Sequence, residues 1–464
     1  MSTPGDTLNL PIPEKPINAE PTKQFFVDMI TRDIQLEQAV LDLVDNSVDG
    51  ARRSRAEGDK PLDGFEIKIV AGVSGFSIWD NCGGFDKEAA RDYAFRFGRP
   101  ESRPSSPHAI GQFGVGMKRA LFKFGRHFTV ASATEKETWA VDVDVDAWEV
   151  APGWTFPWAA LPDDSELSET APGTSISVDR LRPEVSGRFG TEYFINAIRG
   201  LIGSKHRQFL AEGLSISVNG RYLDVTALNL LVSGKLRPGL DTIRYKYTDG
   251  VLVDARLVVG IGESIPREAG WYVVCNGRMI LEADRRPVTG WGLVEAEDSK
   301  AKIPTFHNQF ARFRGIVWFD SDDSSRVPWN TTKTDVDQDS SIWQQTFLRM
   351  VEMMRPVIDF MNELDRDVDE NSKDHSLLLN HLQRAGRVNS ESYRLNASTP
   401  KALFSFPKPG ELVPPGPPPP AMVKVQYSRP KEEIDALADA FNLGSAKAVG
   451  ERTFDMALRQ QIGD

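Results

Sequence analysis

Hydrophobic positions along residues 1–182 show two patterns, one typical of helices and one typical of short strands. Between residues 22 and 55, Ala39, Val40 and Leu43 belong to a set with three- to four-residue spacing, which predicts an amphipathic helix. Further helices are predicted for 85–97 and 117–125, and short strands for 65–70, 75–79, 128–133, 138–145 and 174–178. Because these elements are mixed rather than strictly alternating, they predict a two-layer α/β sandwich with a mixed sheet rather than a doubly wound fold.

The rest of the chain predicts a second α/β region followed by helices. Its strand-like segments are 214–218, 242–247, 255–259, 270–274 and 315–319. An apolar stripe predicts a long helix over 341–364 with a kink at Pro356, and the prolines between 414 and 420 predict an extended linker. The predicted domains are 1–182, an α/β domain at 183–340, a helical region at 341–395, a Pro-rich linker at 396–430 and a helical tail module at 431–464.

Composition narrows the class of protein. The chain has 464 residues, of which 40% are hydrophobic and 26% charged, and this is typical of a globular protein with about two to four domains. Its net charge of −11 argues against a generally basic surface for nucleic acid. Cys82 and Cys275 are too few for a disulfide framework or a cysteine metal cluster. Because we find neither a signal-like start nor a membrane-spanning apolar stretch, we expect a cytoplasmic protein.

The segment LDLVDNSVDG, residues 41–50, carries the first candidate chemistry. On a helix, Asp42 and Asn46 are four residues apart and share one face. An Asn carbonyl oxygen is a neutral ligand for a hard cation such as Mg²⁺, and a carboxylate one turn away can orient and deprotonate a water molecule. An exposed acidic helix face would show the same spacing, so this motif does not decide alone.

The segment WDNCGGF, residues 79–85, ends a predicted strand in Asp80. Small residues after it let the backbone turn closely while the carboxylate meets the edge of a base. A carboxylate accepts a hydrogen bond from the exocyclic amine of adenine, which distinguishes adenine from guanine by hydrogen-bond sense. A simple strand-to-loop Asp turn is the alternative.

The segment IGQFGVGMKRALFKFG, residues 110–125, places glycines before a predicted helix. After Gly111, Gly114 and Gly116, backbone N–H groups and a helix N-terminus can face an anion. Lys118 adds a point charge for phosphates. The pattern is not a P-loop, and a flexible hinge is the alternative.

These motifs, in this order and followed by Gly173 and Thr174, make the sequence resemble the GHKL superfamily of Bergerat-fold ATPases. The superfamily includes gyrase B, the ninety-kilodalton heat-shock chaperones, histidine kinases, MutL and the MORC ATPases. The resemblance covers residues 25–180 and implies a Bergerat α/β sandwich followed by a transducer-like α/β domain. IGQFGVG resembles the lid motif of the chaperones, whereas LVDNSVDG is more similar to MutL and MORC.

The resemblance implies a binding site for ATP and Mg²⁺ in which each residue has a role. Asn46 would bind Mg²⁺, Asp80 would contact adenine with support from Thr174, and Gly84 would allow the close turn after Asp80. Residues 98–110 would form a mobile lid. The phosphates would lie against Gly111, Gly114, Val115, Gly116 and Lys118.

Two positions depart from the pattern of the superfamily. Asp42 stands where the general base is usually Glu, so its carboxylate is one methylene shorter. It can act on a closer water or through a second water, and otherwise turnover is very slow. Cys82 replaces the middle glycine of the D-x-G-x-G turn, and we interpret it as a packing residue.

In the gyrase, MutL and MORC branches, the transducer domain supplies a lysine to the γ-phosphate. GWYVVCNGRMI, residues 270–280, resembles a strand and turn of such a domain. VPWNTTKTDVD, residues 327–337, places Lys333 in a Thr-rich loop before the long helix. We predict that Lys333 contacts the γ-phosphate and stabilises charge in the transition state, with a solvated loop lysine as the alternative.

The resemblance implies an ATPase of low turnover that works as a conformational switch and forms a homodimer when ATP is bound. It also implies action on DNA, in repair, topology or defence against foreign DNA. Two alternatives stay open, a chaperone-like ATPase that remodels proteins and a nucleotide-sensing scaffold that does not hydrolyse ATP. A candidate basic surface for DNA consists of Lys205, His206, Arg207, Arg285 and Arg286.

Overall fold

The computed structural model describes residues 21–58, 60–96, 108–111, 115–293, 303–371, 373, 375–395, 401–412, 423, 425–441 and 443–462. The helices are α1 (Lys23–Arg32), α2 (Leu36–Arg53), α3 (Lys87–Ala89), α4 (Gly116–Phe124), α5 (Val145–Val150), α6 (Pro183–Phe189), α7 (Glu192–Lys205), α8 (Arg207–Ala211), α9 (Ser341–Asn371), α10 (Leu377–Gln383), α11 (Glu391–Leu395), α12 (Lys431–Phe441) and α13 (Ala446–Ile462). The strands are β1 (Glu66–Gly72), β2 (Gly75–Asp80), β3 (Gly125–Ala133), β4 (Thr138–Asp144), β5 (Trp158–Ala159), β6 (Gly173–Leu181), β7 (Ser215–Val218), β8 (Arg221–Tyr222), β9 (Asn229–Val232), β10 (Gly239–Lys246), β11 (Leu252–Ile261), β12 (Gly270–Cys275), β13 (Arg278–Asp284), β14 (Phe313–Asp320) and β15 (Gly386–Asn389).

The first sheet has the strand order β5-β4-β3-β6-β2-β1-β7-β8 within the described residues. It is mixed, because β1 pairs antiparallel with β2 but parallel with β7. Alternation along β1 buries Ile67 and Ile69 and exposes Lys68 and Val70, so one face of the sheet is apolar. Helices α2 and α4 pack against each other and share a hydrophobic core with this sheet. The helical layer of the predicted sandwich therefore includes α2 and α4, which carry the first and the third sequence motif.

The second sheet has the order β10-β11-β14-β12-β13, with β12 and β14 parallel and the other neighbours antiparallel. Helix α9 packs against β11. Beyond the two sheets, β15 pairs with β9, and α12 and α13 contact each other. The predicted fold class is confirmed, namely α/β with mixed sheets followed by further α/β and helical parts. No helix in the described part of the chain is long and apolar enough to cross a membrane.

Three sequence expectations need correction. The single helix predicted over 22–55 is two helices, α1 and α2, separated at Gln35 by extended backbone. The helix predicted over 85–97 is only α3 followed by a π-helical turn at Ala90–Ala94. The strand predicted at 214–218 was assigned to the second region, but β7 pairs with β1 in the first sheet. Hydrophobic spacing identifies a strand but not its neighbour, which explains the third error.

Candidate functional site

A cavity of about 820 Å³ lies between α2, the end of β2, the start of α4 and the loop that carries Lys333. Its volume is in the range of cavities that hold small-molecule ligands. Gly114 and most of the predicted lid lie outside the described residues. The cavity is lined by these predicted site residues: Asp42, Asn46, Asp80, Gly84, Gly111, Val115, Gly116, Thr174 and Lys333.

Helix α2 supplies several of the polar side chains that line the cavity. Asn46 is exposed, whereas every other residue from 39 to 48 is buried, because its side chain faces the open cavity. One turn earlier Asp42 is largely buried, and Gln38 Nε2 donates to its Oδ1 at 3.0 Å. Burial raises the pKa of Asp42 above its ordinary value, while the charge of Lys333 opposes this rise. A neutral amide and a base of raised pKa thus share one helix face.

Asp80 ends β2 and is 3% exposed. Ser47 donates from its Oγ to Oδ2 at 2.6 Å, and the backbone N–H of Cys82 donates to Oδ1 at 2.9 Å. Burial raises the pKa of Asp80, and the hydrogen bond from Ser47 opposes this. Thr174 lies directly opposite Asp80 in the pairing of β2 with β6. These contacts fix the orientation of the Asp80 carboxylate, which lines the cavity.

The turn after Asp80 is tightly packed. Gly84 has φ 60°, and a Cβ added there would lie 2.1 Å from the carbonyl oxygen of Ala133, so a side chain does not fit. Cys82 is buried against α2, since a Cβ on Gly50 would lie 2.8 Å from the carbonyl oxygen of Cys82. Burial raises the pKa of the Cys82 thiol well above its ordinary value, which disfavours the reactive thiolate.

The chain that enters α4 is tied to α2 by Asp49. Its carboxylate accepts from the backbone N–H of Ile110 at 2.8 Å and from that of Gly111 at 2.7 Å. Helix α4 begins at Gly116, and a Cβ there would lie 3.2 Å from the Asp42 carboxyl group. The positive end of the α4 dipole therefore lies at the cavity, where it would favour an anion.

Lys118 is not among the residues that line the cavity. It is 1% exposed, and its ammonium donates to the carbonyl oxygens of Ala94 and Arg96. Burial lowers the pKa of Lys118 to about 7. In this structure its N–H groups therefore bind the backbone at the end of the π-helical turn, and a phosphate contact would require the side chain to change partners.

Lys333 reaches the cavity from the second region of the chain. Its Nζ lies 2.9 Å from Asp45 Oδ2 and 3.9 Å from Asp42 Oδ1. Its backbone is left-handed, with φ 54°, and its N–H donates to the carbonyl oxygen of Asn330. Burial alone would lower the pKa of Lys333, but the carboxylates of Asp45 and Asp42 outweigh it and raise the pKa. The lysine is thus charged where the loop of the second region meets α2.

Four of the five residues of the candidate basic surface are buried or engaged in contacts within the chain. Lys205 Nζ donates to the carbonyl oxygen of Ile280, and His206 is fully buried. Arg207 pairs with Glu282, and Arg286 pairs with Asp284 and Asp335. The structure therefore does not bring this cluster together as a free cationic surface.

Sequence reasoning missed three groups at or beside the cavity. Asp49 follows Asn46 by three positions on α2, so helical spacing was a signal that could have identified it. Arg52 also lines the cavity and donates to the carbonyl oxygen of Asn276 at 2.9 Å. Asp45 precedes Asn46 in the first motif, but its partners are remote in sequence and gave no signal.

The site residues present fit Mg²⁺ bound to a nucleotide. No group of three or more His, Cys, Asp or Glu side chains that could hold a metal occurs among the described residues. Mg²⁺ usually takes one or two protein oxygens and completes its shell with phosphate oxygens and water. Asn46, exposed to the cavity beside the start of α4, matches that requirement.

Residues 34–174 match the family model of histidine kinase-, DNA gyrase B-, and HSP90-like ATPases. The matched segment begins just before α2 and ends at Thr174, so it contains every candidate residue of the cavity except Lys333. No curated protein matches the chain.

Proposed function

Through residues 34–174 this chain belongs to the GHKL superfamily of ATPases, and we propose that it is an ATP-dependent conformational switch. It binds ATP with Mg²⁺, hydrolyses it slowly and forms a homodimer in the ATP state. The observation that carries the proposal is the convergence of Asn46, Asp80 and the start of α4 on one cavity. The amide oxygen of Asn46 suits a cation, the Asp80 carboxylate suits the amine of adenine, and the helix N-terminus suits the phosphates. ATP with Mg²⁺ combines all three.

Each end of the nucleotide has its own partners in this proposal. Asp80 accepts from the adenine amine, and Thr174 supports it from β6. Asn46 holds Mg²⁺, which neutralises charge on the phosphates. The phosphates lie against the backbone of Gly111, Gly114, Val115 and Gly116, with Lys118 joining them after it leaves its carbonyl partners.

Hydrolysis would use Asp42 as the base. Its carboxylate takes a proton from a water, whose oxygen forms a bond to the γ-phosphorus as the bond to the bridging oxygen of ADP breaks. Lys333 places a positive charge beside the group that receives negative charge. Because the Asp42 side chain is short, the water must come close to α2 or act through a second water, which supports slow turnover.

The observation of Asp42 in place of Glu also favours a second candidate, a nucleotide-sensing scaffold that binds ATP without hydrolysis. Action on DNA, in repair, topology or defence, rests on the resemblance to MutL and MORC ATPases alone. The contacts of Lys205, Arg207 and Arg286 weaken it. A chaperone-like activity on proteins rests only on the resemblance of residues 110–116 to a lid motif.

Mass measurement by light scattering tests the switch. With Mg²⁺ and a non-hydrolysable ATP analogue, we expect the mass of the wild-type chain to double, whereas ADP leaves it monomeric. Lys333→Ala should stay monomeric with either nucleotide. Lys246→Ala, which removes an exposed lysine from β10, is the matched control and should behave as the wild type does. A mass that does not respond to the analogue would contradict the proposed switch.

The same measurement with duplex DNA over a salt series tests the DNA partner. Association that weakens steeply as salt rises would report contacts to phosphates. Absence of any added mass at low salt would exclude DNA and leave the protein-remodelling alternative.

A further inference from the structure

Asp45 is fully buried on α2, directly before Asn46, and it does not line the cavity. Its Oδ2 accepts from Lys333 Nζ at 2.9 Å. Its Oδ1 lies 2.9 Å from Nε2 of His206 and 2.9 Å from Nε of Arg278. The four side chains come from α2, the end of α7, the start of β13 and the Lys333 loop. We call them the Asp45 cluster.

Such a cluster is an unusual way to join two parts of a protein. Asp45 and Arg278 both have 0% of their side chains exposed, and burying charges costs free energy even when they are paired. Apolar side chains of similar volume would hold the same elements together at least as well. The charges of the cluster therefore call for a function beyond packing.

Lys333 shows what that function can be. Its side chain is a flexible stem, and an ammonium without a fixed partner would sample many positions. Asp45 takes one of its three N–H donors, and the cavity side of the ammonium faces Asp42 at 3.9 Å. The geometry thus holds the nitrogen at the edge of the cavity and leaves donors for a ligand.

Arg278 changes the charge balance of the ion pair between Asp45 and Lys333. A carboxylate that only paired with Lys333 would cancel its charge, but Arg278 supplies a second positive charge to Asp45. Asp45, Arg278 and Lys333 together carry a net charge of +1, and Asp42, whose Oδ1 lies 3.9 Å from Lys333 Nζ, adds one negative charge when it is ionised. Burial and the neighbouring Arg278 lower the pKa of His206, so its ring is counted as neutral. Arg278 therefore keeps Asp45 from neutralising Lys333, whose positive charge faces Asp42 and the cavity.

We infer that Asp45 is the positioning residue of Lys333, which it holds at the γ-phosphate end of the cavity while Arg278 preserves the positive charge there. This inference rests on the proposed function, because it assigns Lys333 to the phosphate that distinguishes ATP from ADP. Two cations contact the Asp45 carboxylate, Lys333 at Oδ2 and Arg278 at Oδ1, each at 2.9 Å.

The test compares the affinities for ADP and for a non-hydrolysable ATP analogue, with Mg²⁺, by calorimetry. Lys333→Met should lower the preference for the analogue by about tenfold or more, the effect of losing a hydrogen bond to a charged group, and leave the ADP affinity unchanged. Asp45→Asn should have the same effect although it leaves Lys333 in place. Combining the two substitutions should add nothing further, because both remove the same contact.

A buried arginine without its carboxylate can prevent folding, so Asp45→Asn is also made together with Arg278→Met. That pair removes one negative and one positive charge and keeps the net charge of the cluster. Asp241 provides the matched control, since it is 7% exposed and also pairs with one arginine and one lysine, Arg349 and Lys401. Asp241→Asn should lower the melting temperature without changing the preference between the two nucleotides.

The inference is overturned if the folded Asp45→Asn/Arg278→Met protein keeps the wild-type preference, or if it loses affinity for ADP and the analogue equally. A double variant that does not fold would also overturn it, because Asp45 would then serve the fold itself. Wild-type protein that takes up neither nucleotide marks the separate failure of the proposed function.

Discussion

Asp42 and Asn46 share one face of α2, but their surroundings give them different chemistry. Asn46 is open to the cavity and remains neutral at every pH, so it can approach phosphates without repulsion. Asp42 is buried, is oriented by Gln38 and lies 3.9 Å from the Lys333 ammonium. The residue that binds and the residue that acts as a base are therefore separated by one helical turn.

Asp42→Asn tests the assignment of the base. We expect ATP binding to persist, because the amide keeps the shape of the side chain. We expect single-turnover hydrolysis, followed by phosphate release, to fall by about a hundredfold to ten-thousandfold, the usual contribution of a general base. Equal rates for the variant and the wild type would favour the scaffold.

The pH dependence of the wild type provides the second part of that test. Burial raises the pKa of Asp42, so hydrolysis should decline as pH falls through this raised pKa and the base becomes protonated. The contribution of Asp42 to stability has the opposite sign. It is fully present below the unfolded-state pKa and is lost as pH rises through the folded pKa. Asp42→Asn should remove both dependences.

Gly84 is the residue whose backbone constrains the turn after Asp80 most tightly. Gly84→Ala combines the left-handed backbone, which costs about 1–2 kcal/mol, with a contact 2.1 Å from a backbone oxygen. We expect chemical denaturation to show a loss of several kcal/mol. Gly153→Ala is the control, since Gly153 has φ 73° but nothing within 4 Å of an added Cβ. Equal losses in the two variants would mean that the close contact has no effect.

At the scale of elements, sequence patterns predicted strands best where one face is buried. The spans predicted for β1, β2, β4 and β12 agree with the structure to within about two residues, because alternation or an apolar run marks them directly. The break between α1 and α2 escaped prediction, since apolar spacing continues across it. The placement of β7 depends on a parallel contact with β1 that joins residues far apart in sequence.

The link between α2 and the start of α4 is an element-scale feature with a direct test. Asp49→Ala removes the acceptor of the backbone N–H groups of Ile110 and Gly111. Hydrogen bonds to a charged group contribute about 1.5–3 kcal/mol, so hydrogen exchange at these two amides should accelerate roughly tenfold to a hundredfold. Asp323→Ala, which removes a similar acceptor at Ser325, is the control and should leave residues 110–111 unchanged. Unaltered exchange in Asp49→Ala would show that this contact does not hold the segment.

At the scale of the whole molecule, the cavity is lined by residues of the first α/β region and by the loop of the second region that carries Lys333. The motifs between 41 and 174 predicted most of its lining, because chemistry-bearing residues follow one another at short spacing there. Lys333 was predicted by resemblance to a transducer domain. The contacts of Asp45 with Arg278 and His206 could not be predicted, since a buried charge cluster forms from positions that no local pattern connects. The Asp45 cluster connects α2 with β13 and the Lys333 loop, so it lies beside the cavity in which ATP would bind.

The central claim is that one cavity binds magnesium and ATP through Asn46 and Asp80, and calorimetry with the purified chain tests it most directly. We predict that the wild type binds the ATP analogue, that Asp80→Ala abolishes this binding, and that Asn46→Ala removes its dependence on Mg²⁺. Asn196→Ala, which alters an exposed amide on α7, should bind as the wild type does. No heat of binding for the wild type, or full binding by both Asn46→Ala and Asp80→Ala, would contradict the account.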